Sequence, residues 1–229
     1  MTASADDLRV LGEAAATYVE DGMKVGLGTG RAATAFVRAL AERTRREGFR
    51  ISCVATSEAT RTLATTLGLP IVTLGEAGDL DLTIDGADEV DRKLDLIKGL
   101  GGALVREKIV AASSRRLVIV AGADKLVDRL GVRTPLPVEI VPFGAPLCER
   151  RLRALGAEPR LRGAASGPYV SDNGNHILDC EFAGIDDPAA LDRAIREIPG
   201  VVATGLFVGM AERVLVEERG AVRVIHRAT

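Results

Sequence analysis

The spacing of apolar and polar positions changes repeatedly along the chain. Short apolar runs rich in Val, Ile and Leu occupy residues 23–27, 51–55, 71–74, 80–84 and 117–121. Amphipathic helical patterns occupy residues 6–20, 32–46, 58–67 and 103–113. Strands that alternate with helices at this spacing predict a parallel sheet with helices on its faces. The runs are unbroken rather than alternating, which is typical of strands buried on both faces.

A second pattern begins after the Pro-rich segment at residues 134–137. It predicts strands at residues 138–142, 159–162, 169–182 and 201–207, and helices at 146–155 and 188–197. The segment 169–182 contains the turn Asn173-Gly174. This order is that of the split β-α-β-β-α-β (ferredoxin-like) fold. Residues 209–225 predict a short helix and then a strand. We therefore expect an α/β protein with a Rossmann-like catalytic domain over residues 1–131, to which 208–229 return, and a small lid or oligomerisation domain over 132–207.

Composition narrows the class of protein. The 229 residues are 47% hydrophobic and 27% charged with a net charge of -2, which indicates a globular chain and argues against nucleic acid as a partner. Three scattered cysteines and two histidines argue against a disulfide framework and against a Cys/His zinc site. No apolar run approaches the ~18 residues of a membrane span, and the first residues do not resemble a secretion signal, so we expect a cytoplasmic protein.

Two polar segments follow the first two predicted strands. The first, Gly26 to Thr34, joins a strand to a helix and contains Gly28, Thr29, Gly30 and Arg31. Glycines and a helix amino terminus suit phosphate binding, although a turn that merely needs glycine explains the loop equally well. Arginine at position 31 excludes the dinucleotide motif G-x-G-x-x-G. In the second, at residues 56–60, a plain helix N-cap by Thr56 or Ser57 is the favoured interpretation.

Carboxylates and a lysine follow the later strands. Six acids lie between Asp79 and Asp91, and a solvated loop explains most of them, but Asp85 directly follows a buried-type strand and precedes Gly86. Lys98 precedes a glycine loop that runs into a helix carrying Glu107. A surface Arg-Glu-Lys triplet is one interpretation of that helix. The other is that the helix amino terminus keeps Glu107 ionised, as a proton acceptor.

Together these residues suit proton abstraction next to a carbonyl. The set contains a phosphate-binding loop, an ionised carboxylate, a lysine and two aspartates, with no nucleophilic Cys/His pair, Ser-His-Asp triad or metal cage. A base of this kind moves a proton between neighbouring carbons while a cation and hydrogen bonds stabilise the enediolate. The sequence therefore predicts aldose–ketose isomerisation.

The chain resembles the type A ribose-5-phosphate isomerases. The resemblance rests on Gly-Leu-Gly-Thr-Gly at 26–30, Thr-Ser at 56–57, Asp-Gly-Ala-Asp-Glu at 85–89, Lys-Gly-Leu-Gly-Gly at 98–102 and Arg-Glu-Lys at 106–108, and extends over nearly the whole chain. It implies interconversion of D-ribose 5-phosphate and D-ribulose 5-phosphate in the non-oxidative pentose phosphate pathway, without a cofactor or metal, by a homodimer or homotetramer. It makes Glu107 the general base, and Asp85, Asp88 and Lys98 the groups for ring opening and enediolate stabilisation. The implied substrate-binding residues are Gly28, Thr29, Gly30, Arg31, Ser57, Gly86, Gly99, Gly101 and Lys125.

One departure from the family affects the phosphate site. Family members usually have Ser-Thr after Gly-Thr-Gly, whereas this chain has Arg31 and Ala32. Arginine has a permanent charge and donors suited to bidentate phosphate contact, so we expect Arg31 to replace the missing hydroxyls as a phosphate anchor. A solvent-facing residue in the first helical turn is the alternative.

Two other function classes share this fold. A sugar-phosphate-sensing domain related to transcription regulators would keep the phosphate loop but would not need a base. An acyl-CoA transferase-like enzyme would use its glutamate as a nucleophile, and binding of coenzyme A would identify it. The complete set of acids and the lysine favours the isomerase.

Overall fold

The computed structural model describes residues 4–164 and 167–227. The α-helices in this part are α1 Ala5–Ala16, α2 Arg31–Glu47, α3 Glu58–Thr66, α4 Leu74–Ala77, α5 Leu104–Ala112, α6 Ala145–Ala154 and α7 Pro188–Arg196. The strands are β1 Lys24–Leu27, β2 Ser52–Ala55, β3 Leu82–Gly86, β4 Glu89–Val90, β5 Leu96–Ile97, β6 Leu117–Gly122, β7 Leu136–Ile140, β8 Glu158–Leu161, β9 Gly163–Ala164, β10 Gly167–Pro168, β11 His176–Glu181, β12 Val201–Thr204, β13 Leu206–Phe207, β14 Arg213–Glu218 and β15 Ala221–His226.

The described residues form two compact units. Unit 1 contains residues 4–87, 106–126 and 210–227, and unit 2 contains 88–105, 127–164 and 167–209. Residues 88–105, 127–131 and 208–209 were predicted to belong to the first domain, whereas in the structure they group with unit 2. Residues 88–105 contain β4 and β5, which pair with each other and with β13.

Unit 1 is built on one six-stranded sheet. Its order is β15-β14-β6-β3-β1-β2, and all neighbours are parallel except β14 and β15. Read from β2, the parallel strands have the order 2-1-3-4-5 of doubly wound sheets, which bind ligands where the order reverses. In this sheet the reversal lies between β1 and β3. The Rossmann-like fold is therefore confirmed, and it indicates where a site should lie.

Helices cover both faces of this sheet. Successive residues of a strand face opposite sides, and on β2 the side chain of Cys53 packs with α1 and α2, while Val54 packs with α4 and α5. Phe36 and Leu40 of α2 are fully buried in the larger cluster. Burying side chains of this size contributes roughly 1.5–3 kcal/mol each.

Unit 2 contains the predicted split β-α-β-β-α-β arrangement. Its four-stranded sheet has the order β12-β7-β11-β8 with every pair antiparallel, and α6 and α7 make the two helical connections. Buried Leu136, Val138 and Leu178 pack with Leu152 of α6 and Ile195 of α7. The small α/β unit therefore has a core of its own.

Two predicted elements of unit 1 are wrong. Residues 71–74 are not a strand, because Ile71 makes only an isolated bridge to Cys53 and Thr73 then caps α4 in a capping box with Glu76. The segment 209–225 holds no helix but the hairpin β14–β15, which turns at Arg219 and Gly220 with φ angles of 57° and 81°. Strand β14 of this hairpin pairs with β6 in the sheet of unit 1.

Three further differences lie in unit 2. In the segment 169–182 the predicted turn at Asn173 and Gly174 is present, but the strand is limited to β11. Residues 171–175 turn around Glu139, which accepts hydrogen bonds from Ser171, Asn173 and Asn175. The strand predicted at 201–207 divides at Gly205 into β12 and β13, which belong to different sheets. The two-residue strands β4 and β5 are too short to give a periodic signal.

Candidate active site

The polar segments of unit 1 converge at the carboxyl edge of its sheet. Gly28 to Arg31 follow β1, Thr56 and Ser57 follow β2, Asp85 and Gly86 end β3, and the helical turn that contains Lys125 follows β6. These four strands are neighbours in the order β6-β3-β1-β2. Their ends therefore lie side by side around the point of strand reversal, where a doubly wound sheet binds its ligand.

Gly28 and Asp85 are in close contact across this point. A Cβ atom at position 28 would lie 2.2 Å from Asp85 Oδ1, so only glycine fits there. The N–H groups of Thr29 and Gly86 donate to Asp85 Oδ1 over 3.0 and 2.7 Å. Asp85 is 1% exposed. The carboxylate is therefore held in a fixed orientation against the glycine loop. A carboxylate in a solvated acidic loop would be exposed and would lack these contacts.

Buried hydroxyl groups fasten the same loop to the start of α3. The Thr29 hydroxyl donates to Ser57 Oγ over 2.8 Å, Ser57 Oγ donates to Thr60 Oγ1 over 3.1 Å, and Thr60 Oγ1 donates to the Gly28 carbonyl over 2.9 Å. Thr56 Oγ1 lies 2.7 Å from Thr29 Oγ1. The predicted N-cap is Ser57, which accepts from the Thr60 N–H. The network was not predicted from the sequence, in which the hydroxyls at 56, 57 and 60 are its only signal.

The amino terminus of α2 opens from this loop. Gly30 precedes the helix with φ of 102°, a conformation that favours glycine, and no side chain of the described residues caps the helix there. Arg31 is the first residue of α2 and is exposed, and Lys125 is half-buried. Both cations therefore lie at the edge of the sheet where an anion would meet the helix amino terminus.

Glu107 lies in the first turn of α5 and is 4% exposed. Its neighbour Arg106 donates to Glu58 Oε1 over 2.8 Å, and Arg61 donates to Glu58 Oε2 over 2.6 Å. Hydrogen bonds from these two arginines hold the pKa of Glu58 below its usual value. Since Glu58 begins α3, this pairing fixes the start of α5 at the same edge of the sheet. Because Glu107 is buried, the interpretation of Arg106, Glu107 and Lys108 as a surface triplet is wrong for Glu107.

Asp88 and Lys98 lie together in unit 2. The Asp88 N–H donates to the Ile97 carbonyl over 2.8 Å, and Asp88 Oδ2 accepts from the Leu100 N–H over 2.9 Å. Lys98 is 2% exposed, its N–H donates to the Gly205 carbonyl, and its ammonium lies 5.5 Å from the centre of the Phe207 ring. Gly99 has φ of 107°, and Gly101 is exposed.

Glu89 is a structural residue that the sequence analysis grouped with the solvated acids. It is 0% exposed, and its two oxygens accept the N–H groups of Gly131, Arg133 and Thr134 over 2.6 to 2.8 Å. A buried carboxylate in this role joins β4 to the segment that precedes β7. The prediction of a solvated loop is therefore wrong for Glu89.

Several other chemistries find no support in the described residues. Burial raises the pKa of Cys53 and Cys180 to about 12, so these thiols are not activated nucleophiles. No group of three or more His, Cys, Asp or Glu residues within 4–164 and 167–227 could hold a metal ion. In the same part of the chain, no helix combines the length and apolar character needed to span a membrane.

Comparisons with known sequences identify one family. The family model for ribose 5-phosphate isomerase A (phosphoriboisomerase A) matches residues 52–220. The chain is 58% identical to ribose-5-phosphate isomerase A of Roseiflexus castenholzii over 201 residues, covering 87% of this chain and 86% of that one. It is 52% identical to the enzyme of the same name from Gloeobacter violaceus over 224 residues, covering 96% and 97%.

Solved structures give the same result. Ribose 5-phosphate isomerase A from Methanocaldococcus jannaschii has a TM-score of 0.92 and 38% identity, covering 97% of this chain and 100% of that one. A D-ribose-5-phosphate isomerase in complex with phospho-erythronic acid has a TM-score of 0.95 and 34% identity, covering 99% and 100%.

Proposed function

Because the chain belongs to the ribose 5-phosphate isomerase A family, we propose that Glu107 is the general base of its reaction. The chain is an aldose–ketose isomerase that interconverts D-ribose 5-phosphate and D-ribulose 5-phosphate, a reaction of the pentose phosphate pathway. The sugar-phosphate-sensing and acyl-CoA transferase alternatives are not favoured. The observation that carries the role of Glu107 is its burial in the first turn of α5.

The reaction needs one proton to move between adjacent carbons. In the open-chain aldose, Glu107 takes the proton from C2, and the C–H electrons form the C1–C2 double bond of an enediolate. The C1 carbonyl oxygen takes the negative charge in this step. The proton on O2 then passes to O1, and Glu107 returns the carbon-bound proton to C1, which leaves a hydroxyl at C1 and the ketone at C2. A helix amino terminus favours the ionised carboxylate.

Asp85, Asp88 and Lys98 handle the oxygen atoms in this proposal. The Lys98 ammonium stabilises the negative oxygen of the enediolate, since a buried cation acts more strongly than one in water. Asp85 and Asp88 exchange protons with the sugar hydroxyls during ring opening. Their backbone hydrogen bonds, to Thr29 and Gly86 for Asp85 and to Leu100 for Asp88, orient these carboxylates beforehand.

The phosphate is bound by the loop Gly28 to Gly30 and the start of α2, with Arg31, Ser57 and Lys125 nearby. Gly86, Gly99 and Gly101 let the backbone approach the sugar. Phospho-erythronic acid, which is bound by the relative described above, carries a phosphate and a carboxylate.

A coupled assay of the purified protein with ribose 5-phosphate tests this function. Formation of ribulose 5-phosphate is the expected result. Absence of turnover, together with binding of the sugar phosphate, would instead favour the sensor.

Arg31 gives the first prediction. Replacing it with alanine should raise the KM for ribose 5-phosphate by about tenfold or more, with a smaller effect on kcat, because a charged hydrogen bond contributes ~1.5–3 kcal/mol. Arg38→Ala is the matched control, since Arg38 is exposed on the same helix. If KM and inhibition by inorganic phosphate are both unchanged in Arg31→Ala, Arg31 is a surface residue, and Lys125 is the next candidate for the phosphate anchor.

Activity should survive treatment with a chelator. Acids of the 79–91 segment already accept backbone N–H groups: Glu89 from three residues, Asp91 from Lys93 and Asp95, and Asp81 from Lys24. The charge of the enediolate is then stabilised by Lys98 and by hydrogen-bond donors. Full activity after dialysis against EDTA is the expected result. A loss that a divalent ion restores would indicate a metal-assisted hydride shift.

The cellular setting and assembly are also proposals. Buried free thiols at Cys53, Cys148 and Cys180 suit the reducing cytoplasm.

Unit 2 exposes Phe143 to 97%, with Val141 at 44%, and such apolar surface suits contact with a second copy in a homodimer or homotetramer. Unit 2 would then serve as the lid or oligomerisation domain. Light scattering of the purified protein would measure the mass, and that of a single chain would contradict the assembly.

A further inference from the structure

Arg162 contacts the glycine loop that follows Lys98, a contact that sequence motifs do not reveal. The residue directly follows β8, and its side chain is 15% exposed. Its Nη1 donates to the carbonyl oxygens of Gly99 and Leu100 over 3.0 and 3.1 Å. One guanidinium nitrogen therefore holds two successive peptide groups of the loop.

The other side of the guanidinium group is fixed to β11. Arg162 Nε donates to Asp179 Oδ2 over 2.9 Å, and Nη2 donates to Asp179 Oδ1. These contacts and the two carbonyls use four of the five N–H donors of an arginine. The charge is paired with Asp179 and the donors are engaged, so Arg162 is not suited to bind the substrate phosphate itself.

Asp88 holds the same loop from the opposite side. The Leu100 N–H that donates to Asp88 belongs to the same peptide group as the Gly99 carbonyl that accepts from Arg162. In a trans peptide the C=O and N–H point in opposite directions, so this peptide is fixed at both ends. The next peptide has its Leu100 carbonyl on Arg162, and the Gly101 N–H therefore points away from Arg162.

Tyr169 packs beside this contact. Its N–H donates to the Arg162 carbonyl over 2.8 Å, and its ring centre lies 5.8 Å from Arg162 Cζ. A Cβ atom on Gly102 would lie 2.1 Å from the Tyr169 hydroxyl. The guanidinium group and the ring thus form one support behind residues 99–102.

We propose that Arg162 is a positioning residue for the loop Lys98–Gly102: it draws the Gly99 and Leu100 carbonyls to one side, so that Asp88, the Gly101 N–H and the preceding Lys98 are oriented toward the reacting end of the sugar. The inference rests on the proposed function, in which this loop and Asp88 contact the substrate. Arg162 itself contacts no reacting atom in this account and acts through the loop.

Arg162→Met tests the inference through the binding of an inhibitor. An inhibition constant does not depend on the fraction of the enzyme that is active. We expect the inhibition constant of phospho-erythronic acid to rise about tenfold to a hundredfold and kcat to fall, because a charged double contact is lost. The inhibition constant of inorganic phosphate should stay unchanged, because the proposed phosphate loop lies in unit 1. Arg162→Lys should recover only part of the loss, since an ammonium cannot reproduce the planar fork.

Arg160→Met is the matched control. Arg160 lies on β8 two residues earlier, is 69% exposed, and pairs with Glu181 over 3.4 Å. If Arg162→Met is not obtained folded, Asp179→Asn tests the same inference. This variant weakens the pairing that orients the Arg162 guanidinium group and leaves Arg162 in place. We expect the inhibition constant of phospho-erythronic acid to rise about threefold.

The outcomes separate this inference from the proposed function. If the unmodified enzyme isomerises ribose 5-phosphate but Arg162→Met, or Asp179→Asn in its stead, leaves the phospho-erythronic acid constant unchanged, the positioning role is overturned whatever happens to thermal stability. Equal weakening of phospho-erythronic acid and inorganic phosphate would also overturn it. Absence of turnover in the unmodified enzyme would overturn the proposed function instead.

Discussion

Replacing Glu107 with glutamine should lower kcat for ribose 5-phosphate by at least about 100- to 10,000-fold, the usual contribution of a general base. Glutamine preserves the shape of the side chain and removes only the proton acceptor. We therefore expect the inhibition constant of inorganic phosphate to stay near that of the unmodified enzyme. Steady-state kinetics with ribose 5-phosphate, together with thermal unfolding of both proteins, measure these effects.

Glu42→Gln is the matched control for this variant. Glu42 is exposed on α2, so the same chemical change there should leave kcat unaltered. Turnover by Glu107→Gln within a few-fold of the unmodified enzyme would refute the assignment of the base.

Replacing Lys98 with methionine should lower kcat by about 100- to 1,000-fold, the range measured when one donor to a developing oxyanion is removed. Methionine has a similar length and no charge, and the Lys98 side chain already lies against the Phe207 ring. Most of the effect should fall on kcat, because the enediolate carries the negative charge that Lys98 stabilises.

Lys93→Met is its control, because Lys93 is an exposed lysine of the same unit. An unchanged kcat in Lys98→Met, with normal activity in Lys93→Met, would show that another group stabilises the enediolate.

Local patterns in the sequence predicted much of the architecture. Unbroken apolar runs marked β1, β2, β3 and β6, and the position of polar residues directly after them correctly indicated the edge of the sheet at which Asp85 and the glycine loop lie. The order of elements after residue 134 gave the small α/β unit. These features depend on neighbours in sequence, so periodicity and motif spacing contain them.

Features that depend on distant residues were not predictable in this way. The hydroxyl network joins Thr29 to Thr60, and the loop after Lys98 is supported by Arg162, more than 60 residues away. The hairpin β14–β15 was interpreted as a helix and a strand because its pairing with β6, which favours the extended form, is not visible locally. Burial likewise distinguished Glu89, a structural carboxylate, from the half-buried Asp88 and Asp91 near it.

The transfer of a proton by Glu107 between C2 and C1 is tested most directly by running the reaction in heavy water. A carboxylate that carries the proton can exchange it with solvent between steps, so deuterium should accumulate at C1 of ribulose 5-phosphate and at C2 of ribose 5-phosphate over many turnovers. NMR or mass spectrometry of the recovered sugars measures this, and Glu107→Gln should give no incorporation. Efficient isomerisation by the unmodified enzyme without any carbon-bound deuterium would contradict the account and indicate a direct hydride shift.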